Sequence, residues 1–171
     1  MEYWDLYDKD HRKLGQIHRR GDKMPQDGYH LTVHVCVLNQ KGEMLIQKRA
    51  EDKMIFPGRW DVSAAGSAVV DETSEMAAHR ETLEEIGQNV DFSKTRPFLT
   101  VHFDEGFSDW YVIETEKEIE EFVFQESEVS EIRWASLSEI TEMIHENQFV
   151  PYHEGFIDLL YSMYKKRGAH Q

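Results

Sequence analysis

Alternating apolar and polar positions along the chain predict a set of short, half-buried β-strands. The clearest is HLTVHVCVL, residues 30–38, in which Leu31, Val33, Val35 and Val37 fall on one face. The turn NQKG separates it from a second strand, EMLIQKR. The same reasoning predicts strands around residues 60–64, in PFLTVHF, WYVIETE and IRWAS, and a hairpin within residues 1–20 around DKDHRKLG.

One central segment has the spacing of a helix instead. Its apolar residues can share one broad face of a helix, Thr73 suits the N-cap, and Gly87 suits the C-terminal cap. We therefore predict a helix from Thr73 to Ile86, with one broad apolar face formed by Met76, Ala77, Leu83 and Ile86.

Two further helices are predicted near the end of the sequence. SLSEITEMIHEN opens with a capping box from Ser136 to Glu139, and the segment from about 151 to 166 starts with a proline. The second helix is expected to carry Phe156, Leu159, Leu160 and Met163 on one side. This element order predicts a mixed sheet with packed helices, an α/β (α+β) fold, in a single domain over residues 1–171.

Charge and composition narrow the functional class. The chain has 33 acidic and 19 basic residues, a formal charge of -14, which disfavours binding to a nucleic acid polymer. Cys36 is the one cysteine, so a disulfide framework is excluded and a reducing compartment fits. The sequence shows neither a membrane-length apolar stretch nor a signal-peptide pattern at MEYWDLYDKD. We expect a cytoplasmic enzyme or binding domain.

A cluster of glutamates lies on the central helix. Glu81, Glu84 and Glu85 are three and four positions apart, so they share one side of the helix. Each like-charge pair costs roughly 0.2–0.5 kcal/mol in an isolated helix. A divalent cation such as Mg²⁺ or Mn²⁺ reverses that cost because carboxylate oxygens suit hard metals. The glutamates alone favour an exposed, solvated acidic face, and Arg80 can hold one carboxylate in place by a charge-assisted hydrogen bond when the metal is absent.

The spacing around these glutamates is more specific. Residues 66–88 contain, in one fixed frame, Gly66, Glu72, Arg80, Glu81, Glu84, Glu85 and Gly87. This frame resembles the signature of the Nudix hydrolases, the Nudix box. Departures are confined to Thr82 and Gln88, where aliphatic residues are usual, and to Ser67 and Asp71, where glycine is common.

The resemblance implies a fold, a reaction and a metal site. The fold is an α/β/α sandwich with a mixed β-sheet and a loop-helix-loop motif. The reaction is attack of water on a phosphorus of a diphosphate joined to a group X, with Mg²⁺ or Mn²⁺ required. The implied metal ligands are the side chains of Glu81, Glu84 and Glu85 and the backbone carbonyl of Gly66, while Glu72 and Arg80 brace the loop and helix.

The general base is less fixed, because family members take it from the helix or from a later loop. Glu81 is our first choice and Glu128 our second, whereas Glu131 is expected to be an exposed strand residue. Glu85 and Arg80 complete the expected catalytic group. Contacts to substrate phosphates are expected from basic residues near the cleft, namely Arg49, Arg59 and Lys53.

An isomerase is the main alternative, because residues 2–145 resemble the subgroup that contains isopentenyl diphosphate isomerases. That chemistry needs a cysteine where this chain has Ala65 and a histidine where it has Ser67. His30 matches one isomerase metal ligand, but a single histidine is not a site. A metal-dependent hydrolase of a small diphosphate substrate is favoured, a non-catalytic nucleotide-binding module stays open, and both monomer and homodimer fit.

Overall fold

The computed structural model describes residues 2–164. In this range the strands are Tyr3–Tyr7 (β1), Lys13–Arg19 (β2), His30–Asn39 (β3), Met44–Arg49 (β4), Trp60–Asp61 (β5), Ala64–Ser67 (β6), Leu99–Phe103 (β7), Gly106–Thr115 (β8) and Val129–Ala135 (β9). The helices are Ser74–Ile86 (α1), Leu137–His145 (α2) and Glu154–Met163 (α3), and a short 3-10 turn spans Ile119–Glu121.

Strand β3 is the centre of the main sheet. It pairs in parallel with β8 from His30 opposite Gly106 to Asn39 opposite Thr115. Its other edge is shared by two antiparallel partners, β6 at the start and β4 at the end. Strands β5 and β9 extend the sheet from β4, and β7 extends it from β8. The sheet is therefore mixed, as predicted.

The two faces of β3 carry two separate cores because successive side chains point to opposite sides of a sheet. Val33, Val35 and Val37 belong to the cluster that includes Ala77, Ala78 and Ile86 of α1. Cys36 and Leu38 belong to the cluster that includes Ile140 of α2 with Ile157 and Leu160 of α3. One helix thus covers one face and two helices cover the other, which confirms the α/β/α sandwich.

Helix α1 begins and ends where the sequence predicts, but its inward face is different. The Thr73 hydroxyl accepts the Met76 N–H at 3.3 Å, and Gly87 caps the other end at φ 67°. Met76 and Leu83, predicted to face the core, are 53% and 46% exposed. The buried positions are Ala77, Ala78, Thr82, Glu85 and Ile86. Small residues let α1 approach β3 and β6 closely, and this orientation turns the polar Thr82 and Glu85 inward.

The polar residues Thr82 and Gln88 are accommodated by hydrogen bonds. The Thr82 hydroxyl donates to the carbonyl of Ala78 at 2.6 Å, one turn earlier. The Gln88 amide donates to the carbonyl of Glu121 at 3.1 Å, next to the 3-10 turn. Both departures from the Nudix pattern therefore change packing around α1 without leaving these donors unpaired.

Other elements differ from the prediction at their boundaries. The strand predicted around residues 60–64 is two short strands, β5 and β6, since β5 pairs with β4 whereas β6 pairs with β3. Helix α3 begins at Glu154, not at Pro151, and buries Ile157 and Leu160 while Leu159 is 38% exposed. Predicted helical positions 165 and 166 lie outside the described residues. The Ser136 capping box of α2 is confirmed.

The N-terminal hairpin β1–β2 supports the loop that leads into α1. The carbonyl of Tyr3 accepts the Val70 N–H at 3.0 Å, and the Asp5 carboxylate accepts the Asp71 N–H at 2.9 Å. Asp71 has a φ of 68°, a left-handed conformation that glycine adopts with less strain. The hairpin thus fixes a strained turn immediately before the glutamate helix. Among residues 2–164, no helix is long and apolar enough to cross a membrane.

The C-cap of α1 gives a stability prediction with a matched control. Gly15 and Gly87 have nearly the same φ, 68° and 67°, but a Cβ on Gly15 would meet nothing within 4 Å, whereas one on Gly87 would overlap the Val123 carbonyl. Gly87→Ala should therefore lower the free energy of unfolding by clearly more than the roughly 1 kcal/mol expected for Gly15→Ala. Urea titrations of both variants measure the difference. Equal losses would contradict the proposed overlap.

His30 gives a prediction about pH. It is 7% exposed and lies 4.2 Å, centroid to centroid, from Trp4, and burial lowers its pKa from 6.5 to about 4. Because the unfolded chain then binds the proton more readily, this residue's stabilising contribution is lost as the pH falls from 6.5 towards 4, by about 1.4 kcal/mol per unit at most. His30→Phe should show a shallower decline than wild type between pH 7 and 5 in urea titrations. Identical slopes would refute the assignment.

Candidate active site

A cavity of about 400 Å³ lies between the loop–α1 segment and the loop that joins β4 to β5. The first segment contributes Gly66, Glu81, Glu84 and Glu85, which are the four positions that the sequence assigns to a metal. The second contributes Arg49 and the residues that follow it, and the floor includes Thr32 and His34 of β3. The structure therefore brings the acidic side chains and basic side chains to one cavity.

Arg80 is the side chain that organises the acidic wall. It forms a two-point ion pair with Glu72, Nε to Oε1 at 2.7 Å and Nη2 to Oε2 at 2.9 Å. Its Nη2 also donates to the carbonyl of Ser67 at 3.0 Å, and its Nη1 donates to Glu81 at 2.7 Å and Glu84 at 3.2 Å. Burial raises the pKa of Glu72, but the hydrogen bonds from Arg80 and the Val69 N–H outweigh it and leave the pKa low. Arg80 thus joins the loop to the helix, as predicted.

Glu81 lies directly against the backbone of Gly66. A Cβ on Gly66 would overlap the Glu81 carboxyl group, so the absence of a side chain at this position lets Glu81 approach β6 closely. Burial raises the pKa of Glu81 to about 7 despite the opposing charge of Arg80. The predicted general base therefore has a pKa close to neutral pH.

Glu85 is the most buried of the three glutamates, at 4% exposure. Its Oε2 accepts the Gln47 amide at 2.6 Å and the Ala65 N–H at 2.9 Å. Burial, followed by the charge of Glu81, raises its pKa to about 8. The other amide atom of Gln47, Oε1, is buried and has no partner among the described residues. A carboxylate is thus held inside the protein with little positive charge beside it.

The side chains of the three glutamates do not converge on a common point in the cavity. In the described part of the chain, no group of three His, Cys, Asp or Glu side chains is placed to hold a metal ion. Glu81 and Glu84 contact Arg80 and Glu85 contacts Gln47, and the Glu84 side chain is 48% exposed. The donor chemistry nevertheless fits Mg²⁺ or Mn²⁺, since carboxylate and carbonyl oxygens line one cavity.

Glu128, the second candidate base, lies in the loop before β9 and also lines the cavity. It forms an ion pair with Lys53, and its backbone carbonyl accepts the Ala50 N–H at 3.1 Å. Glu128 and Lys53 therefore connect two neighbouring loops at the cavity. Glu131 is exposed on β9, as expected.

The two arginines predicted to bind substrate are placed differently. Arg49 lines the cavity and is held by the Asp61 carboxylate at 3.3 Å and by the carbonyl of Ile55 at 3.0 Å. Arg59 is not among the lining residues; its guanidinium lies over the ring of Phe56 and donates to the carbonyl of Phe149. The structure thus brings Arg49 to the glutamates and leaves Arg59 behind the loop.

Residues that the isomerase alternative needs do not meet here. His30 is buried against Trp4, and Cys36 is fully buried, where desolvation raises the pKa of its thiol. Neither residue lines the cavity, and Ala65 and Ser67, which do, have neither the thiol nor the imidazole.

Several lining residues were not predicted from sequence. Asp61 is buried and accepts a hydrogen bond from the Tyr152 hydroxyl at 2.8 Å, and Tyr152 comes from the segment before α3. His34 stacks on Trp110 with ring centroids 4.1 Å apart. Gln47 reaches Glu85 from β4. The alternation of apolar and polar residues in β3 and β4 was the one sequence signal for these side chains. It does not predict which face of the sheet carries the cavity.

The fold and the site together define an α/β/α sandwich with an acidic helix beside a cavity of about 400 Å³. The NUDIX domain family matches residues 28–160 of the chain. The protein therefore belongs to the Nudix family and is an enzyme of the Nudix hydrolase class.

Relatives and solved structures agree with this assignment. The chain is 40% identical over 163 residues to an uncharacterized Nudix hydrolase of Listeria monocytogenes, covering 95% of each chain. It is 30% identical to Nudix hydrolase 3 of Arabidopsis thaliana, over 88% of this chain and 22% of that protein. A Deinococcus radiodurans crystal structure superimposes with a TM-score of 0.74 at 22% identity, covering 96% of this chain and 100% of that one. A MutT protein of Methanosarcina mazei gives 0.62 at 24% identity, with coverage of 81% and 96%. These two structures share the fold.

The Arg80 network gives a prediction that separates geometry from charge. Arg80→Lys keeps the positive charge but loses the planar fork that contacts Glu72 and Ser67. We expect the free energy of unfolding to fall by about 1.5–3 kcal/mol, because these are charge-assisted bonds on a half-buried group. Arg20→Lys, in an exposed pair with Glu2, should cost about 1 kcal/mol or less. Equal losses in urea titrations would contradict the bracing role.

Proposed function

We propose that the protein hydrolyses a diphosphate linkage in a nucleoside diphosphate derivative or a related small molecule, with Mg²⁺ or Mn²⁺ as cofactor. The observation that carries this proposal is the placement of Glu81, Glu84, Glu85 and the Gly66 backbone on one cavity. Two of these carboxyl groups have pKa values raised by burial, as expected for buried oxygens that lack a cation. A divalent cation bound there supplies charge neutralisation for the diphosphate oxygens.

The chain's own residues have distinct roles in this proposal. Glu84, Glu85 and the carbonyl of Gly66 hold the cation, and Glu81 shares in binding it. Glu81 is our first choice to accept the proton of the attacking water, because its carboxyl group lines the cavity beside Glu84 and Glu85. Glu128 is the second choice, since the ion pair with Lys53 engages its carboxylate.

Arg49 is the residue best placed to bind the substrate's phosphates. It lines the cavity, and its contacts with Asp61 and Ile55 fix the guanidinium before substrate arrives. A preorganised cation binds phosphate with a smaller loss of side-chain entropy. Arg59, predicted for the same role, is instead proposed to support the loop next to the cavity. No observation favours an isomerase, and the non-catalytic binding module is left to the activity test below.

The main test is turnover of a substrate panel with matched variants. Purified protein is incubated with Mg²⁺ or Mn²⁺ and nucleoside di- and triphosphates, nucleotide sugars, dinucleotides and coenzymes, and release of phosphate or nucleotide is measured. We expect Glu85→Gln to lower kcat/KM by about 100-fold or more, because it removes a charged ligand at the reacting centre. Glu75→Gln, on the same helix but outside the cavity lining, should act like wild type.

Two outcomes would contradict the proposal. Activity of Glu85→Gln equal to that of Glu75→Gln would remove the metal site from the mechanism. Tight binding of a panel compound without turnover of any would favour the binding module. In the same assay, a larger loss for Glu81→Gln than for Glu128→Gln would support Glu81 as the base, and the reverse order would support Glu128.

A further inference from the structure

Three consecutive large apolar side chains are exposed beside the cavity. Met54, Ile55 and Phe56 are 80%, 57% and 37% exposed. They lie in the loop between β4 and β5, which we call the 54–56 loop. Exposed single apolar residues are common on protein surfaces, but a contiguous group at the mouth of a site is a mark of ligand contact.

This loop is held in place by hydrogen bonds. The Arg49 N–H donates to the carbonyl of Arg59 at 2.9 Å and closes the base of the loop. The Arg49 side chain donates from Nε to the carbonyl of Ile55 at 3.0 Å, and the Arg59 N–H donates to the carbonyl of Phe56 at 3.4 Å. The apolar side chains are thus presented by an ordered backbone.

Phe56 shows that the loop conformation has an energetic cost. Its φ is 49°, a left-handed value that a residue with a side chain adopts at the expense of strain. The Arg59 guanidinium lies 5.7 Å from the centroid of the ring and covers one side of it by a cation–π contact. Arg59 therefore acts as a positioning residue that keeps Phe56 at the edge of the cavity.

The loop is continuous with the reaction site. Met54, Ile55 and Phe56 line the same cavity as the three glutamates, and Val150 and Tyr152 line it as well. Arg49 connects the two regions, since one side chain contacts both the Ile55 carbonyl and the Asp61 carboxylate. A diphosphate held between Arg49 and the glutamates would therefore place its attached group next to the apolar loop.

We propose that the 54–56 loop is the binding site for the group X, and that the preferred X carries a large apolar or aromatic surface. This inference rests on the proposed function, because it uses the same cavity and the same diphosphate. In the reaction, water attacks a phosphorus of the P–O–P bridge and loses a proton to the base. The bond from that phosphorus to the bridging oxygen breaks, and the products are the X-phosphate and inorganic phosphate. A chain and a flat ring present the same apolar chemistry, and separate substrates distinguish them.

The test uses diphosphate esters that differ only in X. The comparison of methyl with hexyl diphosphate measures the effect of a larger apolar X group on kcat/KM. Benzyl diphosphate and ADP measure the effect of a flat ring. Full burial of each added methylene is worth about fourfold in binding, so kcat/KM for hexyl diphosphate should exceed that for methyl diphosphate at least tenfold. Met54→Ser and Ile55→Ser should reduce this hexyl-to-methyl ratio at least fivefold. Val123→Ser, which is 73% exposed and outside the cavity lining, should keep the wild-type ratio.

A second readout does not depend on turnover. Methyl NMR signals of Met54 and Ile55, assigned by their loss in the serine variants, are followed during titration with hexyl phosphate and methyl phosphate, once with Mg²⁺ and once without it. Saturating shifts at lower hexyl phosphate concentration support the inference. A hexyl-to-methyl ratio near one, or one that the serine variants leave unchanged, would overturn it, as would methyl signals that do not respond.

These outcomes separate the two proposals. Hydrolysis of all four esters at similar rates, lost in Glu85→Gln, would retain the proposed function and overturn the apolar loop as the X site. Absence of turnover for every ester and every panel compound would overturn the proposed function, while the NMR titration would still decide whether the loop binds apolar phosphates.

Discussion

The burial of carboxyl groups between α1 and β6 is the constraint on which the rest of the site depends. Glu85 is enclosed by Gln47 and the Ala65 backbone, and the Glu81 carboxyl group lies against Gly66, where a Cβ would displace it. Burying like charges together is unfavourable unless cations or hydrogen bonds offset it. Arg80 offsets part of the cost by joining helix and loop. The remainder raises the pKa of Glu81 and of Glu85, and the divalent cation that we propose at this wall would offset it.

The fold provides what this burial requires. Small residues allow α1 to lie close on β3 and β6, and the N-terminal hairpin fixes the turn at Asp71 from the other side. On the opposite wall, Arg49 donates hydrogen bonds both to the Asp61 carboxylate and to the loop that carries the exposed apolar side chains. The cavity is therefore acidic where a metal is expected, basic where phosphates are expected and apolar where the group X is proposed to lie. Each region is fixed by a different element of the sheet or helix.

The sequence was sufficient for the parts of the site that are local in the chain. The frame from Gly66 to Gly87 lies on one loop and one helix, so residue spacing placed Glu81, Glu84 and Glu85 on one side of that helix, and the resemblance to the Nudix signature assigned them to one site. The prediction that Met76 and Leu83 face the core was wrong, because it took apolar side chains as the guide to the buried face. In the structure, Ala78, Thr82 and Glu85 are buried instead. Gln47, Asp61 and Tyr152 could not be predicted, since their meeting depends on strand register and on a segment almost a hundred residues away. Arg59 was assigned from charge, whereas its position behind Phe56 depends on the loop.

Direct measurement of metal binding tests the central claim. Titration calorimetry of the purified protein with MnCl₂ at low salt, with wild type, Glu85→Gln and Glu75→Gln side by side, measures cation uptake without reference to any substrate. The account predicts saturable binding in wild type and Glu75→Gln and a large loss of affinity in Glu85→Gln. Absence of uptake in wild type, with or without a diphosphate ester present, or equal uptake in all three proteins, would contradict it.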